Sequence, residues 1–233
     1  VGAAGLALYG AMLAAADLPL PHPEGREEDQ PRSSLRVLLS VARDGRVWLA
    51  GLMSLLMGPF DEALLGFTIA LLERERGASA GVATLVALIG VSGGLLTFTV
   101  LARRLEGVVE TKLLVVAGLT MTGGAAMIAF LRAPVLVAVG AFVTSVGLNL
   151  GWLALQHRLL TLRPGEVGST KAVVSAIELG GAAVPVGIGA VADGTDLVLA
   201  VGLYAVLGLV FTALAAAGAR EPAVAVTAED LEV

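Results

Sequence analysis

The 233-residue chain has no cysteine. That excludes disulfide frameworks, cysteine-held zinc or iron–sulfur centres and thiol nucleophiles. Aromatic residues make up only 4%, too few to line a pigment or nucleobase pocket. Charged residues are 15%, where a soluble domain carries about 25%. The shortage is concentrated in long runs almost free of charge, as expected of segments whose solvent is lipid. With 57% hydrophobic residues and a mean hydropathy of +0.88, a soluble globular enzyme is excluded. No Walker loop, HExxH, GxSxG or metal-ligand cluster occurs, so no catalytic residue, metal, cofactor or nucleic-acid partner is expected. Gly187–Ala192 spells a GxGxxA pattern, but it lies within a continuous apolar run beside Pro185, without the strand-turn-helix setting a dinucleotide fingerprint requires.

What is present is a series of apolar runs of membrane-spanning length. Seven fall near residues 1–20, 47–72, 80–102, 113–131, 135–156, 172–192 and 197–218, which predicts an all-α, polytopic membrane bundle. The first run starts at Val1 with no basic segment before it and leads into Asp17 and Pro19. It reads as a membrane helix cut at its beginning, and the chain as a fragment, not as a signal peptide. Of the fifteen Arg and Lys residues, twelve fall in alternate connections: Arg26, Arg32, Arg36, Arg43 and Arg46; Arg103, Arg104 and Lys112; Arg158, Arg163 and Lys171; and Arg220. Arg74, Arg76 and Arg132 are the other three. The positive-inside bias puts the first set, and the C-terminus, in the cytoplasm and implies a multi-pass protein of the plasma or inner membrane. The excess of Arg over Lys is a bias of GC-rich bacterial genomes.

Residues 21–46 form the one long connection, a linker with Pro21, Pro23, Pro31 and the acidic run Glu27-Glu28-Asp29. Within it, Leu35, Leu38, Leu39 and Ala42 recur at helical spacing beside Arg36 and Arg43, predicting a short amphipathic helix on the cytoplasmic surface. Residues 47–218 then form one six-helix domain, and 219–233 an acidic, disordered tail.

Polar residues are not shared equally among the spans. On a helix of about 100° per residue, Ser54, Gly58, Asp61 and Thr68 fall within about 80° of one another, with Glu62 at the edge. Ser145, Asn149, Trp152 and Gln156 share an arc of about 60°, and Lys171, Ser175, Glu178, Ala182 and Pro185 a similar one. Spans 113–131 and 197–218 carry little beyond Thr120, Thr122 and Thr212; threonine can bond its own helix backbone, so these spans can face lipid. Asp61 and Glu62 lie too deep to reach either surface. An ionised carboxylate there costs roughly 2.5–3.5 kcal/mol, so they face the bundle interior or a water-filled cavity, or hold a proton. A proton-binding site is the sharper reading, an interior structural pair the plainer one. Glu178 is placed about 10 Å from the cytoplasmic end, where it could pair with Lys171. Asn149 and Gln156 read equally as cavity residues or as interhelical hydrogen bonds, worth roughly 0.6 kcal/mol. His157 reads as interfacial and His22 as solvated. Gly90/Gly94 and Gly147/Gly151 are GxxxG pairs, read as packing devices without chemistry.

Six regular spans after a long cytoplasmic linker resemble the C-terminal half of a major facilitator superfamily (MFS) transporter. Leu162–Gly168 with Ala172 is similar to the family's loop between helices ten and eleven. Gly180-Gly181, Pro185, Gly187 and Ala192-Asp193 resemble its helix eleven. Gly94 followed by Ala102–Gly107 resembles its basic loop between helices eight and nine, with Ala102-Arg103 in place of the family's Asp-Arg. The resemblance implies that run 1–20 is the last helix of a missing N-terminal half. It implies that spans 47–72 and 135–156 line a cavity, and that 113–131 and 197–218 are peripheral. It also implies alternating access with a small-molecule substrate near mid-membrane. The expected function is secondary transport, with proton-coupled efflux preferred. Ser54, Asp61, Glu62, Asn149, Trp152, Gln156 and Glu178 are the candidate cavity residues, and Arg103 and Arg104 the basic loop. The expected partners are lipid, substrate and a proton or other coupling ion. Two other readings stay open: a seven-helix receptor, although span 197–218 has no lysine for a retinal Schiff base, and a non-transporting, permease-like partner protein.

Overall fold

A computed structural model describes residues 34–101 and 108–218. The chain divides into two units at Ser34/Leu35, and the described structure belongs almost wholly to the second. The apolar run at 1–20, most of the linker, Arg103 and Arg104, and the tail lie outside the described residues.

Every described element is helical. Nine α-helices follow in order: α1 Ser34–Ala42, α2 Gly45–Met57, α3 Glu62–Ala70, α4 Ala80–Leu96, α5 Glu110–Phe130, α6 Pro134–Leu162, α7 Val167–Glu178, α8 Ala183–Gly194 and α9 Leu197–Gly218. They build six continuous rods long and apolar enough to cross a membrane, over Gly45–Glu75, Ala80–Leu101, Glu110–Phe130, Pro134–Leu162, Pro164–Gly194 and Leu197–Gly218. The protein is thus an all-α, multi-pass helical bundle. Helix α6, at 29 residues, is about 43 Å long at 1.5 Å per residue, matching a bilayer with its headgroups.

Helix α6 is the hub, packed along its length against α5 and α4 and touching α2 and α7, while α9 packs on α5. Helix α2 packs on α7, and α3 on α4. The seams are made by small residues that let backbones approach closely. Gly118 lies against Thr212, Gly208 against Thr122, and Gly147 against Thr120. Each of these threonines does bond its own helix, Thr122 to Gly118 O, Thr212 to Gly208 O and Thr120 to Val116 O. They nevertheless face neighbouring helices and not lipid, because a satisfied hydroxyl beside glycine fits a tight seam.

Three features of the sequence need correcting or sharpening. The helix at 34–42 exists, but its inward face is Val37 and buried Val41, while Leu38 and Leu39 are exposed. Its end is fixed by the Trp48 indole, which donates to Ala42 O at 2.7 Å. Secondly, the spans at 47–72 and 172–192 are broken helices, longer than the apolar runs suggest. Pro59 has no N–H for Leu55 O and its ring crowds that carbonyl, so α2 gives way to a 3₁₀ turn at Gly58–Phe60. The Gly180-Gly181 pair permits a second 3₁₀ turn, Leu179–Ala182, between α7 and α8. The two breaks pack together: a Cβ on Gly181 would stand only 3.0 Å from Leu55 O. Thirdly, Glu178 is not near an end. It is fourteen residues from Pro164 and sixteen from Gly194, in the middle of its rod.

Asp44 caps α2. Its carboxylate accepts from Arg46 N at 2.9 Å and from the Arg46 guanidinium. Burial of the group works against its charge, but these bonds and the charges of Arg46 and Arg163 hold its carboxyl below the ordinary value. A depressed folded value contributes stability above the unfolded value, and that contribution disappears as pH falls through the folded one. Asp44→Ala should therefore cost about 1 kcal/mol near neutrality, and the difference from the unaltered chain should shrink below the normal carboxylate range, read by SDS titration in micelles at several pH values.

At one end of the bundle the turn after α3 joins three helices. Arg76 Nη2 donates to Ile128 O (2.7 Å) and Ala129 O (2.9 Å), the last carbonyls of α5. Glu75 Oε1 accepts from Leu197 N at 3.1 Å, at the start of α9. Cation at a C-terminus and anion at an N-terminus both complement the helix dipoles. Burial, with the nearby Arg132 charge, lowers the Arg76 pKa from its ordinary value, yet the group stays charged near neutrality. Gly77 makes the turn with φ +64°, a conformation glycine adopts without penalty. Arg76→Met keeps the apolar stem and removes both bonds; the expected loss is about 1–2 kcal/mol, seen as a lower SDS midpoint.

Candidate functional site

The two breaks fall where the polar residues gather. Asp61 is sixteen residues from Gly45 and fourteen from Glu75, and Asn149 fifteen from Pro134 and thirteen from Leu162. With Glu178, three polar groups therefore sit at the middle of three different rods. Asp61 follows the first 3₁₀ turn with φ −76° and ψ −104°, off the helical path. Straight-helix geometry put it on one line with Ser54 and Thr68. Those two are buried, 2% and 0% exposed, and Thr68 satisfies itself on Leu64 O.

Three adjoining, half-open cavities run across this level. The first, about 230 Å³, is lined by residues including Phe60, Asp61, Gly94, Phe98, Ser145 and Asn149. The second, about 280 Å³, shares Asp61, Phe98 and Asn149 and adds Gly58 and Trp152. The third, about 330 Å³, shares Gly58 and Trp152 and adds Ser54, Leu55, Pro59, Glu178 and Gly181. The result is a trough with Asp61 on one side of Trp152 and Glu178 on the other.

The two carboxylates differ in what already holds them. The Ser54 hydroxyl donates to Glu178 Oε1, joining α2 to the end of α7; Ser54, and not Lys171, is the partner of Glu178. The Asp61 carboxylate has no hydrogen-bond or ion-pair partner among the described residues, though its backbone N–H donates to Gly58 O. Asn149 Nδ2 donates to Ser145 O at 2.8 Å. Since a carbonyl cannot donate, that bond fixes the amide with its nitrogen inward and leaves Oδ1 as an open acceptor. Gly94 gives the amide its room: a Cβ there would lie 2.7 Å from Asn149 Nδ2. Gly94, read from sequence as packing alone, is part of the cavity wall.

Ser54, Asp61, Asn149, Trp152 and Glu178 thus line the three cavities. Two candidates do not. Glu62 is exposed in the first turn of α3, where its charge suits the helix N-terminus, and it lines none of the three cavities. Gln156 is partly buried further along α6 and lines none of them either. Phe60 and Phe98 were missed. The signal for Phe60 was the Gly58-Pro59 dipeptide, which marks a break and so turns the next residues towards the cavity. His157 and Glu110, 3.0 Å apart, link α6 to the start of α5 away from the trough.

These features define a membrane-embedded helical bundle with a largely apolar trough, carrying a few polar groups, at the middle of its rods. No protein-family model matches the chain, and no curated protein matches it.

Proposed function

We propose that the chain is the C-terminal six-helix half of an MFS-type secondary active transporter, moving a small solute by alternating access in proton-coupled efflux. The observation that carries this reading is the unpaired Asp61 carboxylate, at mid-rod, on the wall of a half-open trough between broken helices. A lone carboxylate at that depth is expensive unless a proton or cation meets it. Discontinuous helices at mid-membrane are the usual framework of transporter binding sites. A rod that breaks at Gly58–Phe60 and another at Leu179–Ala182 also have the joints that gating needs. On this reading the open side of the trough meets the N-terminal six-helix half, and the Arg and Lys distribution places the C-terminus in the cytoplasm of the plasma or inner membrane.

The test uses the complete protein in proteoliposomes with an imposed proton gradient. Asp61→Asn keeps size and polarity but removes the titrating group. Gradient-driven movement should fall to background. Unchanged gradient-driven transport by the variant would remove Asp61 from the coupling role.

A further inference from the structure

We infer that the Asp61 side of the trough takes an organic amine in its protonated, N–H-bearing form, carried on an aromatic or branched apolar body. The inference rests on reading the trough as a substrate site. Two acceptors are left open there, beside the Ser145 hydroxyl and the Trp152 indole N–H, which can donate. The Asp61 carboxylate has no partner, and the Asn149 amide presents Oδ1 because its nitrogen is committed to Ser145 O. A ligand that satisfies both must donate hydrogen bonds, and one that balances Asp61 must carry positive charge. A protonated amine does both with one atom, and charge-assisted bonds of this kind are roughly twice as strong as neutral ones.

The remaining wall selects the rest of the ligand. Phe60, Leu64, Leu95, Phe98 and Leu148 surround the carboxylate in the first cavity. Trp152, 39% exposed, closes the second beside Asp61 and Asn149. An indole face within about 6 Å of a cation adds cation–π attraction. A metal ion is disfavoured by the same inventory, since no group of three or more His, Cys, Asp or Glu that could hold one occurs among the described residues. The two cavities together suit a body of drug-like size. Glu178, whose Oε1 already accepts from Ser54, is the less available of the two acids, which puts the ammonium on the Asp61 side of Trp152.

The test exploits the presence of just two tryptophans, Trp48 and Trp152. Trp48 lies at the start of α2, outside the lining of the trough. Trp48→Phe in the full chain leaves Trp152 as a reporter inside the site. Its emission is followed against three probes of nearly equal shape: N,N-dimethyl-2-phenylethylammonium, its N-trimethyl counterpart and the uncharged carbon isostere 3-methylbutylbenzene. The dimethylammonium probe should give a saturable change. The trimethylammonium probe, with charge but no N–H, should bind about tenfold more weakly, and the isostere should not saturate; tenfold corresponds to about 1.4 kcal/mol. Asp61→Asn should weaken the first probe by about tenfold or more. Glu62→Gln, one residue along but outside the cavities, should leave it unchanged. Equal binding of ammonium and isostere, or full affinity in Asp61→Asn, overturns the cation assignment; equal binding of the two cations overturns the N–H requirement. Binding is read without transport, so the two readings fail separately. Ammonium binding in a protein that moves no solute removes the transport reading alone. Coupled transport of a neutral or anionic solute, without ammonium binding, removes this inference alone.

Discussion

Gly124→Val should prevent the bundle from assembling, whereas Gly123→Ala, one residue away, should leave it intact or more stable. A Cβ on Gly124 would stand 2.6 Å from Gly140 O and 2.7 Å from Thr144 N, and would also meet the Thr144 hydroxyl. Two of these are backbone atoms of α6, so no rotamer change relieves the clash. Relief requires α6 to move off α5, and α6 holds Asn149 and Trp152 in the trough. The reverse contact is as tight, with a Cβ on Gly140 falling 2.8 Å from Gly124 O. Overpacking a core usually costs 1–3 kcal/mol, and a clash of backbone against backbone along a helix seam should exceed about 3 kcal/mol. Gly123 has nothing within 4 Å of its would-be Cβ, and replacing a helical glycine by alanine gains roughly 0.5–1 kcal/mol. Monodisperse recovery in detergent and the SDS midpoint read both variants. Recovery of Gly124→Val at the level of the unaltered chain would mean that the α5–α6 backbones are not in contact.

How much of this was legible beforehand differs by scale. The six rods were readable because lipid imposes a length and a composition that a linear scan detects. The rod ends were less so: the run at 172–192 belongs to a rod from Pro164 to Gly194, because its first turns carry Glu166, Thr170 and Lys171 and lack the hydropathy signal. The candidate acids were readable from their cost in lipid. Their separate fates were not. A straight helix of 100° per residue puts Asp61 between Ser54 and Thr68, but Pro59 breaks that helix two residues earlier, and Asp61 lines two cavities while Thr68 is buried. The partner of Glu178 is 124 positions away on α2, a distance over which spacing carries no information. The Glu75–Arg76 connection between α5 and α9 is hidden for the same reason. Individually these residues looked like loop charges, and the carbonyls they bind carry no sequence signature. GxxxG pairs marked some seams, while Gly118, Gly124, Gly140 and Gly208 form comparably close ones, opposite threonines or other glycines, that no GxxxG pair marks.

Ser54→Val should destabilise the bundle by about 1.5–3 kcal/mol, the range for losing a hydrogen bond to a charged group, although valine is more apolar than the serine it replaces. Ser54 is 2% exposed, and its hydroxyl is the one donor to the Glu178 carboxylate among the described residues. Removing it leaves a mid-rod carboxylate with no protein donor, whereas removing both partners leaves nothing unsatisfied. The double variant Ser54→Val/Glu178→Leu should therefore lie within about 1 kcal/mol of the unaltered chain, and the cycle should show a coupling energy of about 1–3 kcal/mol. Glu178→Gln retains a carbonyl acceptor for the hydroxyl and should cost less than Ser54→Val. Strictly additive single effects would show that the pair is not coupled in the folded bundle. The position of the pair gives the result a further consequence. Ser54 is four residues before Gly58, and Glu178 immediately precedes Leu179, so their bond ties the two broken rods together at their joints. A chain that has lost this tie but kept its rods should report the loss at Trp152, which lies between the Asp61 and Glu178 sides of the trough. In the Trp48→Phe background, Ser54→Val and the double variant, which both lack the tie, should both shift Trp152 emission.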